Sequence, residues 1–571
     1  MGIRTPTSIL LASALAVGSI GLAAAPSSGA GTPPMAASEQ ALHVLNRLGF
    51  GPRPGDVDRV LELGVPEWIA RQLEPASIPD DAAAAALKQF PTLSMTAAEL
   101  VQKFELPLRE ARRQRRMELA GQDYAMATGM TEGADLADEA DKIRQKIPPE
   151  NRPRRVIEEL TAARIVRAAQ SDRQLNEVLV DFWMNHFNVF AGKGLDRVFT
   201  TSFERDVIRP RIWGRFEDLL LATAKSPAML VYLDNAQSIA DEAHRPARPI
   251  PVGRALFGHG PLGMGNRGPA KKGPPGGLNE NYARELMELH TLGVDGGYTQ
   301  TDVTELARLL TGWSVTRPEQ GADFVFRAPL HDAESKTVLG NVFPAGGGIE
   351  EGERMIGILA RHPSTARHIA FQLCQRFVAD APPAALVDRV AKTFLATDGD
   401  LRATVRAILT SPEFFDPRYY RAKIKSPFEY VVSAVRAVGA EPDSVLPLAR
   451  QLALLGEPLY LSQPPTGYPD TAEAWVSTGA LLGRLNFAMQ LAADKLPGTH
   501  PDLRSLISYE DAADSKKAVN ALTCALLGAE LSPETRRTLS KRIEDRQTPA
   551  DDSRLALIAG LILGSPEFQR Q

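Results

Sequence analysis

Cysteine is almost missing, with only Cys374 and Cys524 in 571 residues. Two thiols so far apart exclude a disulfide-dense scaffold and an all-cysteine zinc site, and leave room for at most one bridge. Charge of one sign is missing too. The 65 Lys and Arg nearly balance the 69 Asp and Glu, for a net charge of −4. Nucleic-acid binding rests on clustered cations, so this balance gives no reason to expect such a partner. Long apolar runs are confined to the N-terminus, so no membrane span is expected once that segment is removed. Enzyme signatures are lacking as well. No His-Glu-x-x-His, Gly-x-Ser-x-Gly, P-loop or dinucleotide fingerprint occurs, which leaves zincins, serine esterases and nucleotide cofactors without support. The cofactor is unknown and no metal ligand set is assigned.

What is present is ordinary globular composition, 44% apolar and 23% charged, at three or four times the length of a typical domain. One charge at Arg4, an apolar run Ile9 to Leu22 and small residues up to Ala30 predict a signal peptide over residues 1–30. The mature chain is then exported, periplasmic or extracellular. Ala and Leu recur at helical spacing and alternating β-branched segments are scarce, which predicts an all-α protein with little or no sheet. We read residues 31–571 as one large helical domain. Within it lie a charged helix and loop over 100–155 and a Gly/Pro-rich mobile insertion over 244–277. A helix is expected from an N-cap at Ser38 to the turn at Gly49, a second from about Pro54, and a long amphipathic one from Ile157 to Phe190. Ser-Pro pairs at 226, 411 and 565 each follow an apolar stretch and should end a helix.

The densest polar group runs from Asn279 to Gly293. Helical spacing puts Glu280, Arg284 and Glu288 on one stripe and turns Glu285 and His290 away from it. The stripe reads either as an ion-pair ladder or as paired carboxyls, one ionised by Arg284 and one kept protonated for acid/base chemistry. Thr299 with Asp302 forms a capping box before a helix closed by Gly312-Trp313. His331-Asp332 follows in a segment with few helical signals, a placement suited to a base, a ligand or a strut. His186 sits in Asp181-Phe182-Trp183-Met184-Asn185-His186-Phe187, as a core residue or a site residue. A metal shared by His186, His290 and His331 is a weaker third reading.

These segments carry a resemblance. His43 to Pro52, Asp181 to Phe187, the Asn279 to Gly293 helix, Tyr298 to Trp313 and His331-Asp332-x-x-x-Lys336 resemble the large bacterial exported family catalogued as domain of unknown function 1800. His362 to Ala366, Gly399 to Leu401, Ser411 to Phe414 and Lys425 to Glu429 extend the likeness over nearly all of the mature chain. The basic, Gly/Pro-rich insertion before Asn279 departs from the family pattern. Members are often encoded beside a second exported family that looks like phosphatases and sulfatases, which implies a shared envelope or polysaccharide task.

Two functions are therefore weighed. One is a hydrolase or lyase acting on a glycan or cell-envelope polymer. In it Glu280, Glu285, Glu288, His331 and Asp332 supply acid and base, and Arg284, His186, Trp183, Asn185 and Trp313 bind. This version expects Glu288 and His331 within about 10 Å of each other across one aromatic-lined pocket. The other is a non-catalytic exported partner that binds or matures the phosphatase/sulfatase-like protein, with the Glu280-Arg284-Glu288 stripe as internal glue and the 244–277 loop as a docking segment.

Overall fold

Apolar residues at helical spacing fold as expected. In the computed structural model, helices follow one another from Ala37–Arg47 to Asp552–Leu563, and strand is confined to two antiparallel hairpins among the described residues. The structure describes residues 33–121, 142–143, 145–241, 277–317, 320–545 and 552–571. The signal-peptide segment 1–30, nearly all of the 244–277 insertion and part of the charged 100–155 stretch lie outside them. The protein is all-α, and Met35–Gln571 packs as one unit.

At the centre lies Pro427–Ala437, in which every residue is buried. A helix buried on every side needs neighbours on every face and partners for each of its polar groups. Ser426 starts it with a capping box. Ser426 Oγ accepts from the Glu429 amide, and Glu429 Oε2 accepts from the Ser426 amide at 2.8 Å. Phe50 meets Phe428 edge-on with ring centres 5.1 Å apart. The buried Arg436 guanidinium donates to the carbonyls of Gly51 and Ala169, both at 2.7 Å. That guanidinium thus ties the N-terminal turn, the helix Arg154–Gln170 and the central helix together.

Several expected boundaries move. The first helix starts two residues early, with its N-cap at Ala36, so Ser38 lies inside it. The long helix from Ile157 is two, Arg154–Gln170 and Gln174–His186, because Ser171 turns extended and its hydroxyl accepts from the Arg173 amide at 3.0 Å. Each Ser-Pro pair does end a helix, and Ser226-Pro227 also starts one. The hairpins pair Trp313–Val315 with Phe324–Phe326 and Lys336–Val338 with Asn341–Phe343. His331 and Asp332 lie on the chain between them.

Candidate functional site: a buried ion-lined cavity

The residues singled out in the sequence fall into separate networks. The helix at Asn279 runs regularly only over Asn281–Met287 and then widens into a π-helical turn, Glu288–Leu292, stopped by Gly293 at φ 82°. The widening breaks the expected ladder. Arg284 lies 3.6 Å from Glu280 and donates to Gln300 at 2.8 Å, while Glu288 accepts from the Tyr298 hydroxyl at 3.3 Å instead. Glu280 bonds side chains of the neighbouring helix Gln300–Leu309, accepting from Gln300 Nε2 and Thr304 Oγ1, both at 2.7 Å. Glu285 is half-buried; burial, and then the charge of Glu288, push its carboxyl above the usual range.

His331 and Asp332 are shut in. Each is 2% exposed. His331 Nδ1 meets the Thr311 carbonyl at 2.8 Å and Nε2 meets Glu351 at 3.1 Å. Lys336 donates to the same Glu351 oxygen and to the Asp332 carbonyl, both at 2.6 Å. Arg308 clasps the Asp332 carboxylate from two nitrogens at 2.9 and 3.1 Å. Burial works to raise the Asp332 carboxyl, but the Arg308 hydrogen bonds outweigh it and hold the group below its usual range. The Glu288 and His331 networks share no bonded residue. Both ring nitrogens of His331 and both carboxylate oxygens of Asp332 are taken up by bonds within the fold.

Trp313, fully buried, packs on Phe324 with ring centres 5.4 Å apart, and Trp183 stacks on Phe187 at 5.8 Å. Both are core residues. His186 bonds Gln372 at 2.8 Å and the His290 carbonyl at 3.2 Å, with its ring 6.2 Å from that of His290 and 6.4 Å from that of His368. Burial pushes His186 far down and His290 to about 3, so both are neutral. His331 belongs to the other network. Among the described residues no three His, Cys, Asp or Glu are grouped to hold a metal ion. Cys374 and Cys524 are both free thiols.

Asn185 alone of these residues lines a hollow of about 70 Å³. Its amide clamps the Tyr468 backbone, Nδ2 donating to the carbonyl at 2.8 Å and Oδ1 accepting from the amide at 2.7 Å. Gly467 is required there, since its φ is 69° and a Cβ would stand 2.4 Å from Asn185 Oδ1. One turn back on the same helix, Asp181 is ion-paired with Arg164, whose guanidinium lies over Phe428 and Tyr460. The Tyr460 hydroxyl bonds Glu204, and its backbone sits at φ 63°, a conformation costly without glycine.

The far wall carries Arg376, Glu429, Glu457 and Asp470. Arg376 Nη2 lies 2.6 Å from Glu429 Oε1, while its Nη1 has no acceptor among the described residues. A buried guanidinium with idle N–H groups has donors to offer a guest. Glu457 follows the turn at Gly456, φ 97°, and its Oε2 accepts from the Phe428 amide at the start of the central helix, 2.7 Å away. A helix N-terminus favours the charged carboxylate by about 1 kcal/mol. Burial of a group 7% exposed, with the charge of Asp181 added, outweighs it and pushes the Glu457 carboxyl up to about 8. The cavity thus joins a neutral carboxylic acid to a salt-bridged carboxylate.

Sequence reading missed Arg164, Asp181, Arg376, Glu429 and Glu457. The signal available was charge inside apolar helices, as in Thr161-Ala-Ala-Arg164-Ile-Val166 and Pro427-Phe-Glu429-Tyr-Val431. A charge there has to be buried and paired.

Fold and site define a large all-helical protein built around an ion-lined hollow. The chain belongs to the family described as "Protein of unknown function (DUF1800)", which matches residues 43–570. No curated protein and no solved structure matches it.

Proposed function

We propose that the chain is a hydrolase or lyase acting on a glycan or cell-envelope polymer, with its reaction centre at Glu457 and Asp181. One observation carries this: a carboxyl that burial holds protonated, Glu457, shares one cavity with a second carboxyl, Asp181, ion-paired with Arg164, a pairing suited to acid/base cleavage. Glu457 donates its proton to the oxygen that leaves as the glycosidic C–O bond breaks. In hydrolysis Asp181 accepts the proton of the water that forms the new C–O bond; in elimination it takes the proton from carbon. A hollow of about 70 Å³ holds a few waters and not a sugar ring, so the polymer lies across the mouth, against the half-buried Phe182 and Tyr468. Export to the periplasm or beyond is part of this reading and rests on the composition of residues 1–30.

The test is reducing-end release from a panel of envelope, plant and algal polysaccharides. Glu457→Gln and Asp181→Asn should each cost about 100-fold or more, and Glu288→Gln should leave release unchanged. Release lost in Glu288→Gln and kept in Glu457→Gln would overturn the assignment.

A second reading draws on how fully the hollow is occupied by its own bonds. Asn185 is spent on Tyr468, and Glu429 on Ser426, Arg376 and Gln571. In that case the chain is a non-catalytic exported partner that binds or matures a phosphatase/sulfatase-like protein. Co-purification of that protein with both the wild type and Glu457→Gln, with no polymer cleaved, would favour it.

A further inference from the structure

A second recess lies where residues 423–425 pair antiparallel with Gln569–Gln571. Lys425 N donates to the Gln569 carbonyl at 2.9 Å, and Gln571 N to the Lys423 carbonyl at 2.9 Å. Arg421, Lys425 and Arg570 line it together with Asn46 and Ser433, and no carboxylate does. Lys425 is 3% exposed, and its ammonium has one hydrogen-bond partner, Ser433 Oγ at 2.8 Å, with the Phe568 ring centre 4.3 Å away. Among the described residues no carboxylate lies within ion-pairing distance of Lys425, Arg421 or Arg570. The other two buried lysines among the described residues are paired. Lys423, two residues away, has both Asp380 and Asp470, and Lys336 has Glu351.

A buried cation without a counter-ion is costly, and here Arg421 adds repulsion. Burial, then Arg421, lower the Lys425 ammonium to about 7; Glu429 works against this from behind and Arg484 with it. Arg421 is itself held at φ 53° while its guanidinium bonds the Glu567 carbonyl, a strained backbone that keeps the charge at this wall. Arg570 is exposed at the edge.

We infer that this recess is an anion site for a phosphate or sulfate group, with Lys425 at its floor and Arg421 and Arg570 at its mouth. The recess has room for about one water, which suits a single oxygen of the anion, while the remaining oxygens stay between the two guanidinium groups. The site is independent of the Glu457 cavity, and its ligand is either the free ion or the same group carried as an ester.

The experiment follows the thermal unfolding midpoint of the full chain in gluconate buffer of fixed ionic strength, titrated with inorganic phosphate, sulfate or glycerol phosphate. The wild type should show a saturable rise in midpoint. Arg570→Gln, at an exposed position, should weaken the apparent affinity about tenfold. Lys425→Met should abolish the response. A rise with glycerol phosphate equal to that with phosphate identifies an esterified group as a ligand, and a rise with the inorganic ions alone identifies the free ion. No rise beyond that of added gluconate, or an Arg570→Gln titration identical to wild type, would overturn the inference, whether or not Lys425→Met folds.

Discussion

Replacing Glu457 with Gln should change how the fold responds to pH, by an amount the structure sets. In the folded chain this carboxyl titrates at about 8, against 4.5 for the free group. A folded-state value raised in this way means that the native state holds the proton longer than the unfolded chain does. The contribution to stability is therefore complete below about pH 4.5 and is lost as pH rises through about 8. Integrated from about pH 5 to about pH 8, the loss is on the order of 3 kcal/mol. Gln fills the same space, can accept the Phe428 amide and cannot ionise, so it has no such loss. The assay is urea unfolding followed by tryptophan fluorescence at several pH values, for wild type and Glu457→Gln side by side. The buried histidines titrate in both proteins and cancel in the difference. The gap between the two should move toward the variant by about 3 kcal/mol across that range. A gap independent of pH would show that Glu457 is ionised in the fold and would remove the acid from the reaction proposed above.

Lys336→Met should destabilise the chain by about 3–5 kcal/mol, because it removes the lysine ion-paired with the buried Glu351. Cleavage per folded molecule should not change, which a thermal melt and a release assay on the same preparation would show; loss of cleavage with an unchanged melt would return catalysis to the His331 turn. Thiol labelling should find one reactive cysteine in the native chain and two in urea, since Cys374 is buried with its thiol pushed up to about 12 and Cys524 is exposed. Two fast-reacting native thiols would show that the helix around Cys374 is open.

The helical character, the capping box at Thr299 and the helix-ending Ser-Pro pairs were legible in the sequence because each depends on neighbours within a turn or two of the chain. The cavity was not. Asp181 stood inside a block that drew attention for its aromatics, while Glu457 and Arg376 are ordinary residues until the fold removes their water. His331-Asp332 attracted a catalytic reading because a histidine beside a carboxylate off the helices looks accessible. The two hairpins and Glu351 enclose it, and nothing local announces that enclosure. The ladder Glu280-Arg284-Glu288 failed at a single place, the π-helical turn at Glu288, which changes the angular step that the stripe assumed.

The clamp between Asn185 and Tyr468 joins positions 283 residues apart. During synthesis, the half of the hollow that carries Arg164 and Asp181 is made long before the half that carries Glu457. A ribosome paused anywhere before that second half emerges holds a chain in which Asp181 and Glu457 have not met, so no fragment ending there carries the hollow.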